Sequence, residues 1–324
     1  MSVMIDYLKR LLLDMNRFPW TLDKYRIVTY QDRIRLRLPA YRQPVLFEQE
    51  GHDLLRATLT RNVPVMISRL GSVELSSLRF YLEQRTTRKR AYSRRIRRQM
   101  ANPAGFFPVD DGSLDSFAEL YLRQIPRIDL LGVWFNPHEQ VICNDYCPEA
   151  KLVELCCLEP FRYDNPWSSL LEGKKVLVVH PFADSIRKQY GEKRQHLFPS
   201  TRILPEFQLK TLKAVQSIAG STVTFATWFD AYHSMCDAMA KIDFDICIIG
   251  AGAYGLPLAA YAKQMGKQAI HLGGVTQILF GIKGARWERE YAHSTAQLFN
   301  EHWIRPQASE TPAGKESIEK GCYW

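Results

Sequence analysis

Three stretches of this sequence concentrate residues that can handle a charged ligand. Arg69, Gly71, Ser72 and Glu74 fall in ISRLGSVELSSL, where an apolar run passes into a helical pattern. An arginine at that junction can grip a phosphate through two parallel hydrogen bonds. Glu74, in the first helical turn, can bind a divalent metal or accept a proton. It can equally be a plain N-terminal helix charge, worth roughly a few tenths of a kcal/mol. His180 closes KVLVVH, where an imidazole can orient a phosphate, act as a base, or be a hydrogen-bonded structural residue. The third stretch is GAGAYG, with Gly250, Gly252 and Gly255 spaced G-x-G-x-x-G between a strand-like run and a helical one. Bare backbone N–H groups there can approach an anion, and the helix N-terminus favours it.

The glycine spacing matches a dinucleotide fingerprint, but the next requirement fails. A ribose-binding acid belongs about 20 residues on, at the end of the following strand. That strand ends His271-Leu272-Gly273-Gly274, without an acid. A nicotinamide oxidoreductase therefore ranks third among the functional readings. A tight turn needed only for packing, and a nucleotide or sugar-nucleotide phosphate site, stay open. Beyond the last strand, Gln277 and Lys283 are the polar members of a glycine-rich apolar segment, GGVTQILFGIKG, which implies close backbone approach to a ligand or a helix.

These residues need elements to hold them, and the chain supplies an alternation. Strands are predicted over Val63 to Ser68, Ile128 to Trp134, Lys175 to His180, Thr222 to Thr227, Phe244 to Ile249 and Gln268 to Leu272. Helices are predicted over Glu74 to Leu82, Ser113 to Arg123, Phe207 to Ala219 and Pro257 to Met265. Leu152 to Leu158 fits either type. Leu209, Leu212, Val215 and Ile218 supply the apolar face of the third helix, with Gly220 as its stop. The alternation implies an α/β, Rossmann-like fold with a mostly parallel sheet and helices on both faces. Ligands of such sheets bind outside the carboxyl ends of the strands, where Arg69, His180 and the glycine loop all fall.

Residues 1–50 read as an amphipathic helix over residues 4–15 followed by an extension broken at Pro39 to Pro44. Residues 51–305 form the main domain, and 306–324 a polar tail with an apolar end. The 324 residues can bury a large core unaided. Forty-three lysines and arginines against 34 acids give net +9, which favours anionic partners. The seven cysteines form no C-x-x-C pair and read as free thiols of a reducing cytoplasm. There is no secretory signal, and no run nears the ~18 apolar residues of a spanning helix.

The segment Ile67 to Leu78 resembles the strand–loop–helix of GT-D-type glycosyltransferases, whose loop carries Asp-x-Glu in an R-x-G-D-x-E-like setting. VLVVHPF (Val176 to Phe182), LPEFQLKTLKAVQS (Leu204 to Ser217), the run from Gly250 to Gly284 and the closing CYW resemble bacterial proteins of this group from surface-polysaccharide gene clusters. The matched segments are distributed from residue 67 to the end. The resemblance implies a nucleotide-sugar donor, a UDP-sugar first among them, with Mn²⁺ or Mg²⁺ often present. Glu74 matches the motif's Glu as metal ligand or base, but Ser72 stands where the Asp belongs, which weakens a hard-cation site. Arg69, Gly71, Ser72, Gly250, Gly252, Tyr254, Gly255, Gln277 and Lys283 are then the donor-binding candidates, and Glu74 and His180 the catalytic ones. Glu159 and Glu206 are further candidates for the base. The acceptor would be lipid-linked or a saccharide. A non-catalytic binding protein of the same fold is the second reading.

Arg85 to Arg98 holds eight basic residues in fourteen. Tyr92 is its one aromatic, and no nucleic-acid module surrounds it, which argues against nucleic acid. A solvated face is the plain reading. Under the transferase reading, the run suits an anionic membrane surface or a pyrophosphate-linked lipid, and a place for the protein on the inner face of the plasma membrane.

Overall fold

The structure is a computed structural model that describes residues 29–85, 91–218, 223–289, 295–318 and 320–324. The helix expected over residues 4–15, and positions 86–90 of the basic run, lie outside the described residues.

In chain order the elements are α1 (Tyr30–Arg37), β1 (Val45–Leu46), α2 (Glu48–Thr60), β2 (Val65–Arg69), α3 (Ser72–Gln84), α4 (Arg94–Ala101) and α5 (Asp111–Gln124). There follow β3 (Leu130–Val133), α6 (Glu139–Tyr146), β4 (Lys151–Glu154), β5 (Lys175–His180), α7 (Ala183–Lys193), β6 (Gln208–Lys213) and α8 (Trp228–Ala240). The chain closes with β7 (Ile246–Ile249), α9 (Gly255–Gln264), β8 (Gln268–His271), α10 (Val275–Leu279) and α11 (Ala285–Arg289).

The eight strands form one sheet in the order β1-β4-β3-β2-β8-β7-β5-β6, and every pairing is parallel. The fold is α/β. Side chains alternate across the sheet, so each strand feeds two cores. Val176 and Val178 of β5 join one apolar cluster with Ile67 and Ile270, while Leu177 and Val179 join the other with Met66 and Ala269. Strands buried on both faces need continuous apolar runs, which is why VMIS, ICII and KVLVVH were legible.

Local signals set the helix starts. Asp110 caps α5 by accepting from the Ser113 N–H at 2.9 Å. Thr227 and Asp230 form a capping box on α8. Among the described residues no helix is long and apolar enough to cross a membrane.

Two elements differ from the sequence reading. The helix expected over Phe207 to Ala219 does not form in the described part, residues 207–218, whose first half is the edge strand β6, paired with β5; Ala219 and the expected stop Gly220 lie outside the described residues. Leu209 and Leu212 stand three apart, which mimics one helical face. In the strand they point to opposite sides, Leu209 to the core holding Val176 and Leu212 to the core holding Val179. Residues 223–227 are irregular rather than a strand. β6 already occupies the place beside β5, and Thr227 is committed to its cap.

The tail is part of the body. Glu310 is 2% exposed and Trp324 6%. Glu310 accepts from the Asp184 N–H at 2.8 Å and from the Ser185 N–H and hydroxyl, so its carboxylate sits on the N-terminus of α7. The Trp324 indole N–H donates to the Glu310 carbonyl at 3.0 Å.

Candidate functional site

The two halves of the sheet meet where β2 pairs with β8, Met66 opposite Ala269. Above that seam the carboxyl ends of β2, β3, β5, β7 and β8 open into a cleft of about 1160 Å³. A drug-sized ligand needs roughly 300–1,000 Å³, so two reactants fit. Six arginines line it (Arg33, Arg37, Arg69, Arg79, Arg95 and Arg286) against two glutamates, Glu74 and Glu83.

Arg69 forms the floor. Its guanidinium lies over the Trp134 ring at 4.8 Å, and a Cβ on Gly273 would fall 2.8 Å from its Nη1. Gly273, at φ +69°, therefore leaves room for the arginine as well as turning the chain. The Arg69 Nε is buried without a protein hydrogen-bond partner. A buried orphan donor costs about 1–3 kcal/mol unless a ligand or water meets it.

Glu74 folds back over Gly71: a Cβ there would lie 1.9 Å from Glu74 Oε2. Burial pushes the Glu74 carboxyl above the ordinary carboxylate range, while its own backbone N–H and Arg69 pull it back. Only glycine at position 71 leaves the carboxyl this seat.

His180 is 4% exposed, and its Nδ1 accepts the Phe182 N–H at 2.9 Å. That bond places the ring proton on Nε2, so the neutral imidazole offers the cleft a donor rather than a base. Burial lowers its pKa to about 3. His271, on β8 across β7 from it, meets the Ser68 hydroxyl at 3.1 Å and is likewise held near 3, by burial and then by Arg69.

Of the residues singled out in the sequence, Arg69, Gly71, Ser72, Glu74, His180, Gly250, Gly252, Tyr254 and Gln277 line the cleft together. Gly250 has no room for a side chain: a Cβ would lie 2.6 Å from both the Gly273 carbonyl and His180 Cδ2. Tyr254 stacks on Trp228 at 4.6 Å, and Gln277 donates to the Ile282 and Tyr323 carbonyls. Gly255 and Lys283 are not in the lining. Gly255 packs on His271, where a Cβ would fall 2.2 Å from Nε2, and the Lys283 N–H pairs with the Ile304 carbonyl. Glu159 and Glu206 lie outside the cleft, paired with Arg162 and Arg194. The basic run divides: Arg95 lines the cleft, Arg94 and Arg98 are exposed, and Arg97 is tied to Asp111 at 2.6 Å.

Sequence reasoning missed the loop between β3 and α6, Trp134 to His138. It is strained, with Phe135 at φ 53° and His138 at φ 67°. Glu139, fully buried, organises it by accepting from the Trp134 and Asn136 N–H groups at 2.9 and 3.1 Å and from Tyr41 at 3.2 Å. The strand-end rule applied to WFNPHE would have flagged it.

Burial pushes Glu139 up to about 7 despite those donors. The folded protein thus gains a proton on Glu139 as pH falls through 7, where an unfolded glutamate waits until about 4.3. That stabilises the fold on acidification. His180 and His271 act oppositely: they stay neutral when folded and charge below about 6.5 when unfolded. Each contribution changes by on the order of 2 kcal/mol between pH 7 and pH 5. Glu139→Gln removes the compensating one, so the variant should lose about 2 kcal/mol more stability over that interval than the parent. Urea unfolding at both pH values measures this, and parallel losses in the two proteins would reject it.

The donor set on the floor does not fit a hard divalent cation. Glu74 is its one carboxylate, Ser72 offers a neutral hydroxyl, and the Arg69 charge acts on Glu74. Among the described residues no three His, Cys, Asp or Glu side chains gather as a metal site.

No protein-family model matches the chain, and no curated protein does. The fold is similar to two solved structures. One is a selenomethionine-substituted structure of domain of unknown function 1792, at 10% identity and a TM-score of 0.46, covering 86% of this chain and 96% of that one. The other, at 12% identity and a TM-score of 0.47, covers 87% and 96%, and is described as that highly conserved domain with a distinct glycosyltransferase fold.

Proposed function

We propose that the chain is a glycosyltransferase that takes a sugar from a nucleotide-sugar donor, a UDP-sugar first among them. The acceptor is a lipid-linked or saccharide hydroxyl in bacterial surface-polysaccharide synthesis, as the sequence resemblance implies. One observation carries the reading. A half-buried arginine whose Nε is buried and unpartnered and a carboxyl held above its usual range share the floor of one cleft, at the carboxyl ends of the central strands.

The donor diphosphate sits on Arg69 and on the bare backbone at Gly250, Gly252 and Gly273. The acceptor oxygen attacks the anomeric carbon as the bond from that carbon to the donor phosphate oxygen breaks. The bonding pair leaves with the nucleoside diphosphate, and Arg69 and the His180 Nε2–H stabilise that charge. The acceptor proton passes to Glu74, whose raised pKa makes its carboxylate a better base than an exposed one. Because the floor does not suit a hard cation, the arginine takes the place a metal would have in neutralising the leaving group.

Thermal unfolding with a panel of UDP, GDP, CMP, UDP-sugars and NAD, each with and without Mn²⁺, tests the donor. A ligand at a hundredfold over its Kd adds about 2.7 kcal/mol of stability. A selective, metal-independent shift with a sugar nucleotide is expected. A shift with NAD alone would sink the reading. Sugar-nucleotide binding without transfer to any acceptor tried would leave a non-catalytic binding protein.

A further inference from the structure

A second basic cluster lines the cleft, built on other elements than Arg69. Arg37 of α1, Arg79 of α3 and His138 of the strained loop form it, and His138 feels the field of both arginines. The His138 Nε2 is buried and has no hydrogen-bond partner. Asn136, 5% exposed and lining the same wall, keeps its Nδ2 donor without a partner as well. Glu83 is the acid of this cluster; it pairs with Arg79 at 2.6 Å. Arg37 donates to the Phe135 carbonyl at 2.5 Å and so ties α1 to the loop.

Two guanidinium groups and an amide donor around a left-handed turn form a built anion seat on residues other than those of the donor floor. The donor reading assigns these residues no role. We infer that this cluster binds a phosphate or pyrophosphate group on the acceptor, seated on Arg79, Arg37 and the Asn136 amide. The anion site stands on its own residues; its assignment to the acceptor rests on the transferase reading. Arg95 also lines the cleft, and it is exposed together with Arg94 and Arg98 of the same helix, which adds positive charge on the solvent side. A lipid-borne pyrophosphate and a soluble sugar phosphate both present the required chemistry.

Inorganic pyrophosphate is the probe, titrated calorimetrically into the full chain. The parent should bind two equivalents. Arg69→Ala should remove one and Arg79→Ala the other, each with at least a tenfold rise in the Kd of the affected site. Glu83→Gln frees Arg79 from its competing carboxylate and should tighten the second site by about two- to fivefold. This second variant keeps the test decisive if Arg79→Ala folds poorly. One equivalent in the parent, or a second site unmoved by both Arg79→Ala and Glu83→Gln, overturns the inference and leaves the donor reading standing. Two equivalents that ignore Arg69→Ala but respond to Arg79→Ala reject the donor floor instead.

Two further arms identify the source. Competition by glucose 1-phosphate at the Arg79 site supports a soluble acceptor. Arg79-dependent binding to phosphatidylcholine vesicles doped with polyprenyl pyrophosphate, absent on undoped vesicles, supports a lipid-borne one. Failure of both ligands to engage the Arg79 site counts against the acceptor assignment.

Discussion

Glu74→Gln is expected to lower sugar transfer by about 10²- to 10⁴-fold, the span general-base removal usually covers. The amide has the same shape as the acid and fits the same seat over Gly71, so the fold and the cleft should survive. It cannot accept the acceptor's proton. Nucleotide stabilisation should persist, because Arg69 and the glycine backbone hold the donor. The pH profile gives a second reading of the same group. In the parent, the rate should rise with pH through a pKa above the ordinary carboxylate range, since burial favours the protonated form of Glu74. That limb should be missing from the residual activity of the variant. Initial rates of donor consumption across pH measure both effects. A variant that transfers at the parental rate would falsify the assignment of the base.

Glu310→Ala should destabilise the protein by about 3 kcal/mol, through charged hydrogen bonds worth roughly 1.5–3 kcal/mol each. The carboxylate occupies the first turn of α7, on the Asp184 and Ser185 N–H groups and the Ser185 hydroxyl. Removing it leaves those donors buried and deprives the helix N-terminus of its anion. The loss should propagate, because the Glu310 carbonyl anchors the Trp324 indole, which lines the cleft. Glu310→Gln should lose less, since it keeps an oxygen acceptor. Denaturant melts of the three proteins decide it: an alanine variant within about 0.5 kcal/mol of the parent, the usual range of a surface change, would show that water replaces the carboxylate.

The elements that hold the donor floor were legible because their physics is local. β5 and β7 are β-branched runs buried on both faces, and α9 follows a glycine turn with Pro257 in its first turn. β6 was not legible. An edge strand buries little, and Leu209 and Leu212 sit at a spacing that helices also use. The same contrast runs through the site. Arg69, Glu74 and Gly250 announce themselves at strand–helix junctions. Arg79 and Arg37 sit inside helices, and only the tertiary fold turns them into the cleft. His138 owes its place to a left-handed backbone that no composition reports. His180 was legible as a position but not as a chemical species, since its tautomer depends on the Phe182 N–H. The tail's composition reads as solvated, yet Glu310 is buried because a helix N-terminus 126 positions earlier in the sequence needed an anion.

The strand order also sets a timetable for the chain's birth. Ser68 and His271, which touch across the central seam, are separated by 203 positions. At roughly 5–20 residues per second, a ribosome delivers β8 about 10–40 seconds after β2. Through that interval β2 can pair with β3, but its other edge stays open and apolar, the kind of edge that seeks strands of other chains. The first four strands therefore emerge as a half-sheet that must wait for the second, and long-range parallel pairing of this kind is slow to form. The cleft comes into being with the last pairing, so a nascent or truncated chain lacking β8 carries the arginine floor without the backbone that completes it.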